Sequence, residues 1–248
     1  MAASEHDSDP RKKGSTQMPL RKQASAPRKI AAEVYMVGGP DLSDPRDCLC
    51  YLVVGSQARV LIDCGAGPSA KLIMELVSGL IREPLTHLLL THAHIDHVGG
   101  TAQIAGLTGC SVLMHEDDAS VLASGDALRS AANWYGLGLE AWRADRLVAD
   151  GDVLALGGGV SLNMLHTPGH TPGSLCAWCV SGGQRVLFGQ DIHGPFSPAF
   201  GSDLGQWRQS MQRLLALKAD ILAEGHYGVF RPAAEVEGFI RQQLAQQA

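Results

Sequence analysis

The sequence is poor in aromatic residues, which fill 5% of its 248 positions. It has no apolar run near the ~20 residues that a membrane-spanning helix needs, so no membrane partner is expected. No hydrophobic segment lies near the N-terminus, so a secretory signal is not expected and a cytoplasmic location is. Basic charge is not in excess either: 20 Lys and Arg stand against 25 Asp and Glu, for a net charge of -5. A general nucleic-acid binder would show a basic surface, so a nucleic-acid partner is not expected. Paired cysteine spacings of the structural zinc kind are also missing. Cys176 and Cys179 look like half of such a site, but they lie in Ser174–Val180, which reads as a strand. Residues three apart on a strand point to opposite faces. Cys48, Cys50, Cys64, Cys110, Cys176 and Cys179 therefore read as buried free thiols in a reducing compartment.

What is present is 45% apolar residues and 29 glycines, enough for one large domain or two small ones with a sizeable core. Residues 1–29 carry Ser, Pro, Lys and Arg with almost no apolar residues, and such a segment cannot bury enough surface to fold alone. A disordered basic tail is expected there, with a targeting peptide or an arm for an acidic partner as the alternatives. Residues 30–248 are expected to form the folded, catalytic domain.

Strands are read at Glu33–Val37, Cys48–Val54, Arg59–Asp63, Thr86–Thr91 and Ser111–Met114. Further strands are read at Asp152–Leu156, Val160–His166, Ser174–Val180, Arg185–Phe188 and Ala219–Leu222. Leu72, Ile73, Leu76, Val77, Leu80 and Ile81 recur at helical spacing, as do Leu204 to Leu215 and Val236 to Leu244. A short helix is read near Thr101–Ala105. Glu116–Arg146, with Trp134, Tyr135 and Trp142, reads as an irregular helical insert over one wall of a site. Strands and helices alternate, but several strands come in hairpins. That predicts a mixed-sheet sandwich with helices outside.

The chemistry is concentrated in Thr91–Gly100, where His92, His94, Asp96 and His97 fall within six positions behind Leu88-Leu89-Leu90. Imidazole and carboxylate suit zinc, iron and manganese. Residues two apart at a strand end can converge on one ion, as His92 and His94 could, while Asp96 and His97 could serve a second. A solvated loop is the bland alternative. Three more apolar strands lead to candidate ligands just past their C-terminal ends. Leu162–Leu165 leads to His170, Val186–Phe188 to Asp191, and Ile221–Leu222 to His226. All four loops are expected to meet at one edge of the sheets.

His92, His94, Asp96 and His97, followed by Thr167-Pro168-Gly169-His170-Thr171-Pro172-Gly173-Ser174, Asp191 and His226, resemble the metallo-β-lactamase superfamily. The second motif looks like its glyoxalase II-like branch, and Asp63 matches an early strand-end aspartate. The resemblance spans roughly residues 31 to 247. It implies an α+β fold, an αββα sandwich of two mixed sheets packed face to face with helices outside. It implies that His92, His94 and His170 hold one metal, that Asp96, His97 and His226 hold a second, and that Asp191 bridges them. His166 is then a strand residue and not a ligand. Two departures stand out. Gln190 replaces the glycine that many relatives carry before the bridging aspartate, which would alter the loop. Only 22 residues follow His226, too few for the glutathione-binding helices of glyoxalase II proper.

The resemblance implies hydrolysis of a small ester-like substrate, a thioester or lactone, by a metal-bridging hydroxide. Two divalent ions would lower the pKa of a shared water from about 15.7 toward about 7. Zinc is the first choice, with iron or manganese as alternatives. Asp96 would orient the nucleophile and relay a proton. The alternatives are a mononuclear iron persulfide dioxygenase-like enzyme and a phosphodiester hydrolase. His193 and Tyr227, beside Asp191 and His226, could touch substrate or merely pack, and the same holds for His115 and His87. Nothing in the sequence sets the oligomeric state, and a homodimer is compatible with it.

Overall fold

A computed structural model describes residues 26–247. The first sheet has seven strands in sequence order: β1 (Arg28–Ala31), β2 (Val34–Met36), β3 (Tyr51–Val54), β4 (Arg59–Ile62), β5 (His87–Leu89), β6 (Ser111–His115) and β7 (Arg146–Val148). Pairing is antiparallel from β1 to β4 and parallel from β4 to β7. The second sheet holds β8 (Val153–Gly157), β9 (Val160–His166), β10 (Leu175–Ser181), β11 (Gln184–Gln190), β12 (Ile221–Glu224) and β13 (Val229–Phe230). Its order is β13-β12-β11-β10-β9-β8, with only β11 and β12 parallel.

The helices are α1 (Ala70–Ser78), α2 (Ile95–Val98), α3 (Thr101–Thr108), α4 (Glu116–Ser124), α5 (Ala132–Tyr135), α6 (Leu204–Leu217) and α7 (Ala233–Gln246). The period-2 alternation of the second sheet shows how the layers stack. Ala177 and Cys179 of β10, Val186 and Phe188 of β11, and Ile221 and Ala223 of β12 join the core shared with the first sheet. Cys176, Leu187 and Leu222 point the other way, onto Trp207, Met211 and Leu214 of α6 and Val236, Phe239 and Ile240 of α7. Helix α1 buries Ile73, Leu76 and Val77 in the shared core. Each such aliphatic side chain contributes roughly 1.5–3 kcal/mol when fully buried. The α+β sandwich expected from the sequence is the observed fold.

Several elements differ from the sequence reading, among them the short β13 and α2, which it does not contain. Arg28 and Lys29, grouped above with the tail, belong to β1, and their side chains are exposed at the sheet edge. The charged pair hid a strand because an edge strand can keep charges outward. Of the remaining tail positions, Ala26 and Pro27 precede this strand without regular structure, and 1–25 lie outside the described residues. The strand read at Cys48–Val54 starts only at Tyr51. Before it, Cys48 and Leu49 donate their backbone N–H groups to Asp96 and Gly225 (3.2 and 2.7 Å), tying this segment to two functional loops. The insert is helical only in α4 and α5, and β7 follows it. Among the described residues, no helix is long and apolar enough to cross a membrane.

All six cysteines are free and buried. Burial pushes the Cys176 and Cys179 thiols up to about 12 and raises Cys48, Cys64 and Cys110. Thiolate, not thiol, is the nucleophile. Ellman's reagent at pH 8 should therefore find no reactive thiol in the native protein and all six after denaturation. Fast reaction of a native thiol would show that the core opens locally.

Candidate metal centre

The strand ends that carry the motif residues meet at one edge of the sandwich. Residue Asp63 follows β4 in the left-handed region (φ 58°), which an aspartate tolerates better than most residues. Its Oδ1 accepts the Thr91 N–H at 2.9 Å, and its Oδ2 accepts the Thr91 hydroxyl at 2.8 Å and Nδ1 of His97 at 2.7 Å. A carboxylate cannot donate, so His97 gives its Nδ1 proton and turns Nε2 toward the cavity. After His94, the short helix α2 carries Asp96 and His97 and runs into Gly99 and Gly100. A Cβ at Gly99 would sit 2.3 Å from the Ala66 carbonyl oxygen, so only glycine permits this approach.

Helix α4 supplies a second anchor. Asp118, buried, accepts N–H groups from Ala93 and Gly173 at 2.9 Å and the Thr171 hydroxyl at 2.8 Å. It thereby locks the His92–His94 loop to the His170 loop. Nδ1 of His170 lies 2.8 Å from the Pro195 carbonyl, which leaves Nε2 for the site. Glu224, fully buried, is the third anchor. Its Oε2 accepts the N–H groups of His226 and Tyr227 at 2.7 Å, and its Oε1 lies 2.6 Å from Nδ1 of His193.

Two sets of four donor atoms result. In the first, Nδ1 of His94 lies 3.1 Å from Nε2 of His92 and 2.9 Å from Nε2 of His170. Oδ2 of Asp191 lies 3.9 and 3.5 Å from those two Nε2 atoms. In the second, Nε2 of His97 and Nε2 of His226 are 3.3 Å apart. Oδ2 of Asp96 lies 3.6 and 3.3 Å from them, and Oδ1 of Asp191 lies 3.2 and 3.1 Å away. Ligands 2.0–2.1 Å from a tetrahedral zinc ion stand about 3.3 Å apart, so both sets have the right scale. Buried Oδ1 of Asp191 also has no aligned hydrogen-bond donor. An acceptor left this way is costly unless a cation faces it. The donor chemistry fits divalent metal in both sets.

All seven residues singled out from the sequence, His92, His94, Asp96, His97, His170, Asp191 and His226, therefore meet here. His166 does not. Its Nε2 lies 2.8 Å from the Pro172 carbonyl, and its ring stacks on His115 at 3.8 Å and 12°. Parallel imidazoles cannot both aim in-plane lone pairs at one ion, so the neighbouring His115, Asp117 and His166 do not form a third site as they stand. His87 sits outside the cavity, beside the Thr86 hydroxyl. Gln190 adopts φ 44°, where glycine would be free of strain, and both its amide atoms are buried without partners. Asp118 and Glu224 were missed because each lies inside an ordinary helix or strand pattern. Their only signal was a lone acid entering a packed element.

The cavity above the donor atoms has a volume of about 330 Å³. Trp134 and Tyr135 of the insert form one wall with Phe200, and His193 and Tyr227 form the other. The rings are linked: Trp134 lies 4.9 Å from Phe200, which lies 4.4 Å from His94. Ile95 donates its N–H to Ser130 O at 2.8 Å, which fastens the insert to the metal helix.

The family model described as the metallo-beta-lactamase superfamily matches residues 43–226. The chain belongs to this superfamily. A hydroxyacylglutathione hydrolase of Rhodospirillum rubrum is 31% identical over 140 residues, which cover 56% of this chain and 46% of that one. An acyl-coenzyme A thioesterase of Gallus gallus, MBLAC2, is 29% identical over 209 residues, 73% of this chain and 72% of that one. Among solved structures, a Cronobacter sakazakii metallo-beta-lactamase with a HARLDQ motif superimposes with a TM-score of 0.77 at 22% identity. The match covers 90% of this chain and 93% of that one, a likeness of fold.

The electrostatics of the two donor sets differ. Burial lowers His92 well below its ordinary value, His94 to about 4 and His170 to about 3. Burial opposes charge on His97 and His226 too, but Asp191 and Asp96 outweigh it. His97 is raised well above 6.5 and His226 to about 10. Burial likewise disfavours charged Asp96 and Asp191, yet these histidines hold both carboxyls below the usual range. Without metal at pH 7, the three histidines of the first set are neutral and the two of the second set are protonated. Calorimetric metal titration in buffers of different ionisation enthalpy should show little proton release for the first equivalent and at least two protons for the second, two from His97 and His226 and any further one from the acidified water. Equal release from both would refute this asymmetry. In the metal-free fold, the raised His226 pKa contributes stability that is complete below about pH 6.5 and lost as pH rises through about 10.

Proposed function

We propose that the protein is a binuclear metal-dependent hydrolase that cleaves a thioester or related ester of a small molecule. The observation that carries this reading is the pair of donor sets that share the two oxygens of Asp191. His92, His94 and His170 would hold one ion, Asp96, His97 and His226 the other, and Asp191 would bridge them. Zinc suits the N and O donors, and iron or manganese are the alternatives. Bound there, two divalent ions would supply an acidified water and a clamp for the substrate oxygen.

The chain's own groups supply the rest. Asp96 lines the cavity floor as a carboxylate, so it can orient the attacking water and accept its proton. Trp134, 63% exposed, and buried Phe200 offer an apolar bed for an acyl group. Nδ1 of His193, against Glu224, turns the ring's other edge to the cavity. Thioester chemistry is supported by the two relatives named for hydrolysing hydroxyacylglutathione and acyl-coenzyme A. A cavity of about 330 Å³ and a net charge of -5 favour a small-molecule substrate over a nucleic acid or a membrane surface.

Mass spectrometry of protein purified without added metal or chelator should find about two zinc or manganese ions per chain. Asp96→Ala should keep its circular dichroism spectrum and lose about 100-fold or more in thioester turnover. Wild-type turnover in that variant would remove Asp96 from the chemistry. A single iron with persulfide-dependent oxygen uptake would replace the hydrolase reading with the dioxygenase one.

A further inference from the structure

A second hollow of about 230 Å³ adjoins the cavity, and His226 and Tyr227 line both. Its floor is apolar and buried: Met36, Leu42 and Leu49 are 4–8% exposed. Its exposed edge carries Arg28 and Asp41, which pair with each other at 3.4 Å, so among the described residues this rim adds no net charge to the hollow. The side chain of Tyr227, 64% exposed, stands between the two spaces. Its ring rests edge-on against His193 at 4.8 Å and near Phe239 at 5.9 Å.

The two spaces share one donor residue, His226. His94 and Asp191 face the aromatic cavity, whereas His226 faces both. A scissile bond held at Asp191 would direct one arm toward Trp134 and Phe200. The other arm would pass Tyr227. We propose that the Met36–Leu42–Leu49 hollow is a substrate subsite for an uncharged, apolar arm on the far side of the scissile bond. This rests on the hydrolase reading for the position of the bond, and narrows it to substrates that are apolar on both sides. At ~30 Å³ per water-sized group, the hollow holds about seven such groups. A simple alkyl thiol or alcohol fits that space, and a polyanionic carrier does not.

The probes are ketones in which a methylene replaces the thioester sulfur, with a phenyl group on one arm and an alkyl chain on the other. They cannot be hydrolysed, so binding to the metal-loaded protein is read by calorimetry independently of turnover. Affinity should rise about three- to fourfold per methylene until about seven carbons and then level off. A terminal carboxylate on that arm should cost tenfold or more. Leu42→Trp, which fills the hollow, should flatten the chain-length dependence while the phenyl arm still binds. If Leu42→Trp does not fold, Tyr227→Ala, at an exposed position, should make the dependence shallower. Affinity independent of chain length in the wild type, an undiminished gradient in the folded variant, or tighter binding of the carboxylate would each overturn the subsite. Loss of thioester turnover alongside a retained gradient would count against the hydrolase reading and not against the subsite.

Discussion

The site depends on one carboxylate with two faces. Oδ2 of Asp191 completes the set formed by His92, His94 and His170, and Oδ1 completes the set formed by Asp96, His97 and His226. No other side chain belongs to both. Its position follows from the end of β11, where the pairing with β12 slips between Phe188 and Gln190 and the chain turns through a left-handed Gln190. Gly225 makes the room: a Cβ there would stand 2.8 Å from Oδ1 of Asp191. The strained turn and the bare glycine just past the neighbouring strand together bring a charge into a buried corner of the sandwich edge.

Behind the donor atoms stands a frame of three other carboxylates. Asp63 joins the end of β4 to Thr91 and His97, Asp118 joins the first histidine loop to the second, and Glu224 holds the last loop by two backbone N–H groups. Hydrogen bonds to charged groups contribute roughly 1.5–3 kcal/mol each, and removing the acceptor strands buried donors. The frame thus does for the loops what strand pairing does for the sheets. It also divides the labour. Carboxylates that accept several N–H groups are spent on geometry, while Asp96 and Asp191 keep oxygen edges free for the centre.

Much of this was legible in the sequence, for identifiable reasons. The candidate ligands His92, His170, Asp191 and His226 follow apolar strands, with glycine or proline just before the last three, so they could be picked out from local pattern. The period of two placed Cys176 and Cys179 on opposite faces, where they are found. The insert did supply a wall through Trp134 and Tyr135, although Trp142 packs on the core instead. The frame was less legible, because Asp118 looks like a first-turn helix acid and Glu224 like the end of a strand. Their meaning lies in partners 25 to 55 and 2 to 31 residues away. Strand β1 escaped because propensity reads charge as solvent, whereas an edge strand keeps charge on its open side.

One wall of the cavity and the floor of the second hollow are built from different parts of the chain than the donor sets, and this partly separates chemistry from selection. Six of the seven donor residues come from loops at strand ends or the short α2, fixed by Asp63, Asp118, Glu224 and close glycine contacts, and Asp191 follows β11 directly. Trp134 and Tyr135 come from an insert fastened to that centre at Ile95 and Ser130. The segment from Gly39 to Leu49 reaches the other side through Cys48 and Leu49, whose N–H groups bond to Asp96 and Gly225. Neither segment carries a donor residue, so side chains in both can vary with the donor set kept. Membership of the superfamily therefore constrains the reaction class far more tightly than the substrate, and the substrate is to be sought in the insert and the Gly39–Leu49 segment.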